Sequence, residues 1–308
     1  VRLDQRGLDD IGIAADTQLT FNVRGVSLRS ALRLMLMEFD GGFHVQDGAL
    51  VITSDWAIED NLVTEVYSLR RLLANHRSPN ERKGGTDSII FLLTNTLWPD
   101  MWDGVGGPGS MTAFRNSLVV SNTPRVQADV ARLLSALAEA QAATAKSENE
   151  PPEVVVFPEA EPWRKKITDA LRQEVAIEFR ETPLQDVVAF LSDKSKIPML
   201  LDHPALNDVG IGGDTPVTRR VGNLSLRAAL RLILKEMDLT YIIRDEVLLI
   251  TTPEEAESEL RTRIYPVADL LSPVAGNGDW LHAGDWRREA DYDLLLDLLM
   301  SPIRPTTW

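Results

Sequence analysis

The sequence predicts an α+β protein built from tandem small two-layer domains, and two observations support this fold class. Residues 4–73 and 202–271 are two copies of one sequence, related by a constant offset of 198 without a gap. A repeat with so long a period is a complete folding unit and not a solenoid turn. Within each copy, short segments with strand-like alternation are separated by segments whose apolar residues recur at helical spacing.

The second copy shows the element order of the first module in the repeat. We expect two helices: one with Thr182 as its cap and Pro183 at its first position, and one capped by Ser225. Asp245-Glu246 marks a hairpin, for which the first copy has the stronger Asp47-Gly48 turn. The predicted strands are Val175–Phe179, Pro198–Asp202, Pro216–Leu224, Thr240–Arg244 and Val247–Thr252. The order is therefore strand, helix, strand, strand, helix, strand, strand.

The first copy begins at the second strand of this element order. Val1–Asp4 matches Met199–Asp202, so the sequence holds no counterpart of the first strand and first helix. These elements either precede Val1 or are missing. In both cases we expect the first copy alone to expose apolar surface.

A second module follows each copy. In the first, we expect a strand within Val63–Leu73, a helix at Asp87–Leu97, and a final helix at Thr123–Ala143 capped by Thr123. Two strands lie between the helices, at Met111–Arg115 and Ser117–Ser121. In the second copy the matching segments are Arg261–Leu271 and Asp293–Ile303. The second copy has an eight-residue insertion in the Asn277–Glu289 loop, and the sequence ends at Trp308, inside this module. Strand, helix, strand, strand, helix is the order of a small KH-like fold.

These paired modules resemble the periplasmic N-domains of bacterial secretins. The segment Phe179–Leu191, followed by SLRAAL and LLITT, resembles the secretin and TonB short N-terminal domain, and Asn116–Leu134 resembles the KH-like N-domain that follows it in secretins. The resemblance implies five ranges: 1–61, a short N-terminal-type domain without its first strand and helix; 62–144, KH-like; 145–163, a linker; 164–258, a complete short N-terminal-type domain; and 259–308, a truncated KH-like domain. It specifies a fold better than a function.

The sequence departs from the secretin pattern in two ways. The whole pair of modules is repeated, as in large multi-repeat bacterial envelope proteins, and nothing resembles the secretin barrel. What the resemblance implies is a periplasmic or outer-membrane-associated bacterial protein. Its partners would be copies of itself, in a homo-oligomer, or other envelope and secretion proteins.

Composition excludes several classes of function. The net charge of −14 argues against nucleic acid and against an anionic membrane surface as partners. Because the chain has no cysteine, disulfides, thiolate metal sites and a cysteine nucleophile are excluded. No run of about 18 apolar residues predicts a membrane span.

An arginine stripe is the one candidate interface that recurs in both copies. Arg29 and Arg33 return as Arg227 and Arg231, one helical turn apart and opposite the leucines. The stripe either meets an acidic neighbouring subunit or repeat, or forms an ordinary solvated helix face. Two like charges at this spacing mildly destabilise a lone helix, so a partner carboxylate is plausible.

The other candidate sites favour structural roles, and we predict no catalytic, cofactor-binding or metal-binding residue. The Gly-rich loop Gly104–Ser110 lacks the Lys-Ser/Thr of a phosphate-binding loop and is expected to be a flexible connection. The histidines, which do not recur at paired positions, are His44, His76, His203 and His282. Asp9-Asp10 with Asp16, and Asn207-Asp208 with Asp214, place carboxylates in a predicted Gly-rich loop in both copies. They fit turn and cap chemistry better than calcium binding.

The leading hypothesis is therefore a non-catalytic structural or interaction protein of the bacterial envelope, whose small domains pack laterally into an oligomer. The alternative is a signalling or docking module that binds one partner protein, as in TonB-dependent transducers. A hydrolase using Asp and His residues is a distant third, since it would require a site that only one copy holds.

Overall fold

The computed structural model describes residues 1–74, 76, 78–146, 155–156, 162–258, 262–265 and 267. It confirms the α+β class, with short helices packed on small separate sheets. The predicted segments Asn277–Glu289 and Asp293–Ile303, and nearly all of 259–308, lie outside the described residues. So does most of 145–163.

The first repeat contains one three-stranded sheet and three helices. Its elements are β1 (Arg2–Leu3), α1 (Gln5–Asp10), α2 (Leu28–Met37), β2 (Gly41–Gln46), β3 (Ala49–Ser54) and α3 (Asp55–Glu59). The sheet order is β1-β3-β2, with β1 parallel and β2 antiparallel to β3. Ser27 caps α2 by accepting a hydrogen bond from the Ser30 amide. Residues 18–27, the counterpart of a predicted strand, form no strand.

The module that follows has the predicted order of strand, helix, strand, strand, helix. Its elements are β4 (Val63–Ser68), α4 (Pro79–Thr96), β5 (Ser110–Phe114), β6 (Ser117–Asn122) and α5 (Pro124–Lys146). The antiparallel sheet has the order β4-β6-β5. Helix α4 begins eight residues before the predicted Asp87, because Ser78 and Glu81 form a capping box at its start, with Pro79 directly after the cap.

The second repeat is preceded by β7 (Val155–Val156), which pairs antiparallel with β13 (Arg263–Ile264). Its elements are α6 (Pro162–Ala170), β8 (Glu174–Pro183), α7 (Leu184–Ser195), β9 (Met199–Leu201), α8 (His203–Asp208), β10 (Pro216–Ser225), α9 (Leu226–Leu234), β11 (Thr240–Arg244), β12 (Val247–Thr251) and α10 (Pro253–Ser258). Strands β8 and β10 form a two-stranded ribbon, and β11-β12-β9 form a three-stranded sheet.

Helices α7 and α9 lie in the main core of this repeat, between the ribbon and the sheet. Apolar residues of both helices, both ribbon strands, β9 and β12 form one buried cluster. Ser225 caps α9 as predicted, by accepting a hydrogen bond from the Ala228 amide. The prediction for α7 was wrong by one residue, since Pro183 is the N-cap and the helix begins at Leu184.

One hydrogen bond recurs in both repeats and ties the first strand of each sheet to the last. The Thr53 hydroxyl donates to Asp4 at 2.9 Å, and the Thr251 hydroxyl donates to Asp202 at 2.8 Å. The repeat is therefore structural as well as sequential over the elements that the two copies share.

Candidate interaction surface

The sheet of the second repeat has an apolar face that points away from the core of its own domain. In β12, Leu248 and Ile250 face the domain core, and because successive side chains alternate, Val247 and Leu249 point the other way. Both of these outward residues are fully buried. Another element must therefore cover this outer face.

The covering element is helix α2 of the first repeat. Leu34 of α2 is buried in one apolar cluster with Ile242, Val247 and Leu249 of the second repeat's sheet. Half-buried side chains surround this cluster on both sides: Phe21, Val23, Val26 and Met37 from the first repeat, and Leu200 and Ala256 from the second. The two repeats are thus joined by a helix packed on a sheet.

The tip of the β11–β12 hairpin caps this helix. Glu246 accepts a hydrogen bond from the Ser27 amide at 3.0 Å and one from the Ser30 hydroxyl at 2.9 Å. A carboxylate at the first turn of a helix is also favoured by the helix dipole. Burial acts to raise the pKa of Glu246, but the hydrogen bonds from Ser27 and Ser30 outweigh it and hold the pKa below its ordinary value.

Glu246 adopts an unfavourable backbone conformation in order to occupy this position. Its φ is +66° and that of Asp245 is +46°, as a two-residue hairpin turn with two left-handed residues requires. In the first repeat, Asp47 and Gly48 form the same turn with φ values of +51° and +75°. Glycine adopts this region without steric cost, whereas a residue with a Cβ is destabilised by about 1–2 kcal/mol.

Both residues of the Ser30–Glu246 contact are replaced at the paired positions of the other repeat. Where the first repeat has Ser30, the second has Ala228, and where the second has Glu246, the first has Gly48. The hydroxyl donor and the carboxylate acceptor are therefore both present only where α2 meets the second repeat. Their positions match an interface in which the first repeat's helix is recognised by the second repeat's hairpin.

Charged side chains converge beside the hairpin tip. Arg33 makes an ion pair with Asp245 at 3.2 Å, and Arg244 lies on the other side of the same carboxylate. Arg125, at the start of α5, stacks on Trp98 at 4.2 Å from the ring centroid. Burial lowers the pKa of Arg125, as does the nearby charge of Arg33, while Asp129, Asp245 and Asp55 oppose the shift. The charges of Arg33 in α2 and Asp245 in the hairpin therefore act on Arg125 of α5 as well as on each other.

The structure separates the four arginines that the sequence singled out. Arg33 contacts the second repeat, whereas Arg29, Arg227 and Arg231 are exposed, and none of these three forms an ion pair with another described residue. The sequence did not identify Ser30, Glu246 or Leu34 as interface residues. Glu246 carried a usable signal, since a glutamate where the paired turn has glycine needs a compensating contact.

The Gly-rich loop 104–110, which was expected to be a flexible connection, is exposed over most of its length but packs against the chain at two of its glycines. A Cβ on Gly107 would lie 2.2 Å from the Asp100 carbonyl oxygen, and one on Gly109 would lie 2.0 Å from Asn122 Nδ2. The Asp103 amide donates to the Gly109 carbonyl at 2.7 Å. The loop closes on the 3₁₀ turns at 99–105 and offers no open cradle.

The paired carboxylates and the histidines form no common site in the part of the chain that the structure describes. Asp9-Asp10 and Asn207-Asp208 end the short helices α1 and α8, so the prediction that placed them in a loop was wrong. No group of three or more potential ligands among the described residues could hold a metal ion. His282 lies outside the described residues.

A second surface lies open on the sheet β4-β6-β5. Tyr67, Leu118, Val120 and Met111 face the core of this module, and the alternate residues face outwards. None of the outward side chains is buried and none is charged, although charged residues make up 25% of the chain. They are Thr64, Val66, Ser68, Ser110, Thr112, Phe114, Ser117, Val119 and Ser121. Six of these nine side chains carry a hydroxyl group, and the apolar ones are Val66, Phe114 and Val119.

Within the described ranges, the chain contains no helix with the length and apolar character that crossing a bilayer requires. No protein-family model matches the chain, and neither does any curated protein or solved structure.

Proposed function

We propose that this protein is a non-catalytic structural and interaction protein whose small α/β domains pack in series and associate with further copies of the chain. The proposal includes the domain types that the sequence resembles, secretin short N-terminal and KH-like, and an envelope location in bacteria. The observation that carries it is the helix-on-sheet contact between the repeats. A packing mode used between two domains of one chain needs no new chemistry to operate between chains.

The Glu246 turn supports an interaction role over a catalytic one. A glutamate with φ of +66° is disfavoured in the turn itself, and its carboxylate is used in the contact with Ser27 and Ser30. The strained backbone of Glu246 thus lies at a contact between domains. Among the described residues, no pair of a nucleophile and a base lies beside it.

The uncharged face of β4-β6-β5 is the surface that we assign to contacts between chains. Val66 is 66% exposed on this face, next to Val119 on the central strand. Exposed apolar and hydroxyl side chains can pack against a second protein without leaving a buried charge. We therefore expect association of copies to bury this face.

Sedimentation velocity of the full chain over a range of concentrations tests the proposal. The wild type is expected to self-associate, and Val66→Lys to weaken association at least about tenfold, because a lysine would be desolvated without a partner. Val105→Lys is the matched control, because Val105 is 70% exposed but lies in the turn ahead of β5, off this face.

Two results would contradict the proposal. The first is a chain that remains monomeric at the highest concentration, and the second is equal weakening by Val66→Lys and Val105→Lys. A monomeric chain that binds one other protein in a fixed ratio through the same face would support the alternative, a docking module for a single partner.

A further inference from the structure

The first repeat has an open apolar face on the side of α2 that points away from the second repeat. Leu28 is 73% exposed, whereas its counterpart Leu226 is 0% exposed. Val1, Leu3 and Val45 are also exposed. Their counterparts Met199, Leu201 and Ile243 all belong to or pack against the core of the second repeat. Equivalent positions in the same fold thus differ in whether they are covered.

The second repeat shows which elements cover this face. Strand β8 and helix α7 contribute seven buried residues to the cluster that holds Leu226: Val175, Ile177, Phe179, Leu184, Val187, Val188 and Leu191. Strand β8 also pairs antiparallel with β10, with Ile177 opposite Val221. Among the described residues no strand occupies the position of β8 beside the first repeat, and residues 18–27, the counterpart of β10, form no strand.

We propose that the open face of the first repeat is a docking site for a strand–helix segment of the Glu174–Ser195 type. Its strand would carry apolar residues at alternate positions and pair antiparallel with residues 18–27. Its helix would present an apolar stripe to Leu28 and Val45. The two repeats share their three-stranded sheet, the helix α2 or α9, and the Asp–Thr hydrogen bond, so these parts of the site are already in place. Residues 18–27 would form their strand when the segment docks. This inference does not depend on the proposed function.

A fused chain provides the test. A duplicate of residues 162–198 is placed directly ahead of Val1, so that the duplicated Pro198 precedes the counterpart of Met199. Because the chain has no cysteine, a single Leu28→Cys substitution gives an unambiguous accessibility probe. Thiol labelling is expected to be rapid in the unfused chain and at least about tenfold slower in the fused chain, since burial limits access. Amide exchange of residues 18–27 should slow in parallel as the strand forms.

The matched control is the same fusion with the duplicated Val188 and Leu191 both changed to aspartate. This control should label at the rate of the unfused chain, because its helix has lost the apolar stripe. Equal labelling of the two fusions would overturn the proposal. The proposal would also be overturned if thiol labelling of Leu28→Cys in the unfused chain became slower as the protein concentration rises. The open face would then be covered by a second copy of the chain.

Discussion

Replacing Glu246 with glycine tests the central contact, because two opposing effects act at this position. Glycine relieves the left-handed strain of the turn, by about 1 kcal/mol. It also removes the hydrogen bonds from the Ser27 amide and the Ser30 hydroxyl. Hydrogen bonds to a charged acceptor contribute about 1.5 kcal/mol each at the lower end of their range. We therefore expect a net loss of about 2 kcal/mol in the stability of the α2 contact.

The assay should report on α2 and not on the whole chain, since a multi-domain protein does not unfold in one step. Amide exchange of residues 28–37 measures the free energy of local opening. A loss of about 2 kcal/mol corresponds to exchange about 30-fold faster in Glu246→Gly. A cycle that combines Ser30→Ala with Glu246→Gln should give a coupling energy of about 1 kcal/mol.

Gly48→Glu is the matched control, because it places the same residue in the same turn of the first repeat. A Cβ at Gly48 meets nothing within 4 Å, so the substitution introduces backbone strain without a steric clash. We expect it to destabilise the β2–β3 hairpin by about 1 kcal/mol, with no effect on α2. If α2 exchanged more slowly in Glu246→Gly than in the wild type, strain relief would dominate and the capping role would be refuted.

Three further outcomes are expected. Leu34→Ala should destabilise the contact between the repeats by about 2–4 kcal/mol, measured by amide exchange of α2. Leu232 is the counterpart of Leu34 and is 36% exposed, so Leu232→Ala should lower the stability of α9 by less than about 1 kcal/mol. The pKa of Glu246 in the folded state lies below its unfolded value of about 4.3. The stability that ionised Glu246 contributes is therefore complete above about pH 4.3 and is lost as the pH falls through the folded-state pKa. Glu246→Gln should abolish this pH dependence in an acid titration of stability. Gly109→Ala should lower the melting temperature, because a Cβ would lie 2.5 Å from the Met101 carbonyl oxygen.

The elements that could be predicted from the sequence are those whose signals are local. Ser225 and the apolar stripe of α9 are such signals, and so is the Asp-Gly turn of the first repeat. Short helices were missed because six residues complete fewer than two turns and show no periodicity. Helix α4 was predicted too short, since Gly84 and Gly85 weaken the helical pattern near its start.

Features that depend on distant parts of the chain could not be predicted in this way. Residues 18–27 carry the pattern of β10 but form no strand, because strand formation requires a partner and no described segment pairs with them. The sequence pattern of the arginine stripe was compatible both with a solvated helix face and with a partner carboxylate. Only the position of Asp245 distinguishes Arg33 from its counterpart Arg231.

The two repeats act as internal controls for each other, since they share a fold and differ in their neighbours. Phe21 and Met37 pack on the second repeat's sheet, whereas the same positions in the second repeat are Arg219 and Lys235, which face solvent at least in part. At these two positions the side chain is apolar in the first repeat, where the other repeat covers it, and cationic in the second. The divergence between the copies locates the interface more directly than their similarity does.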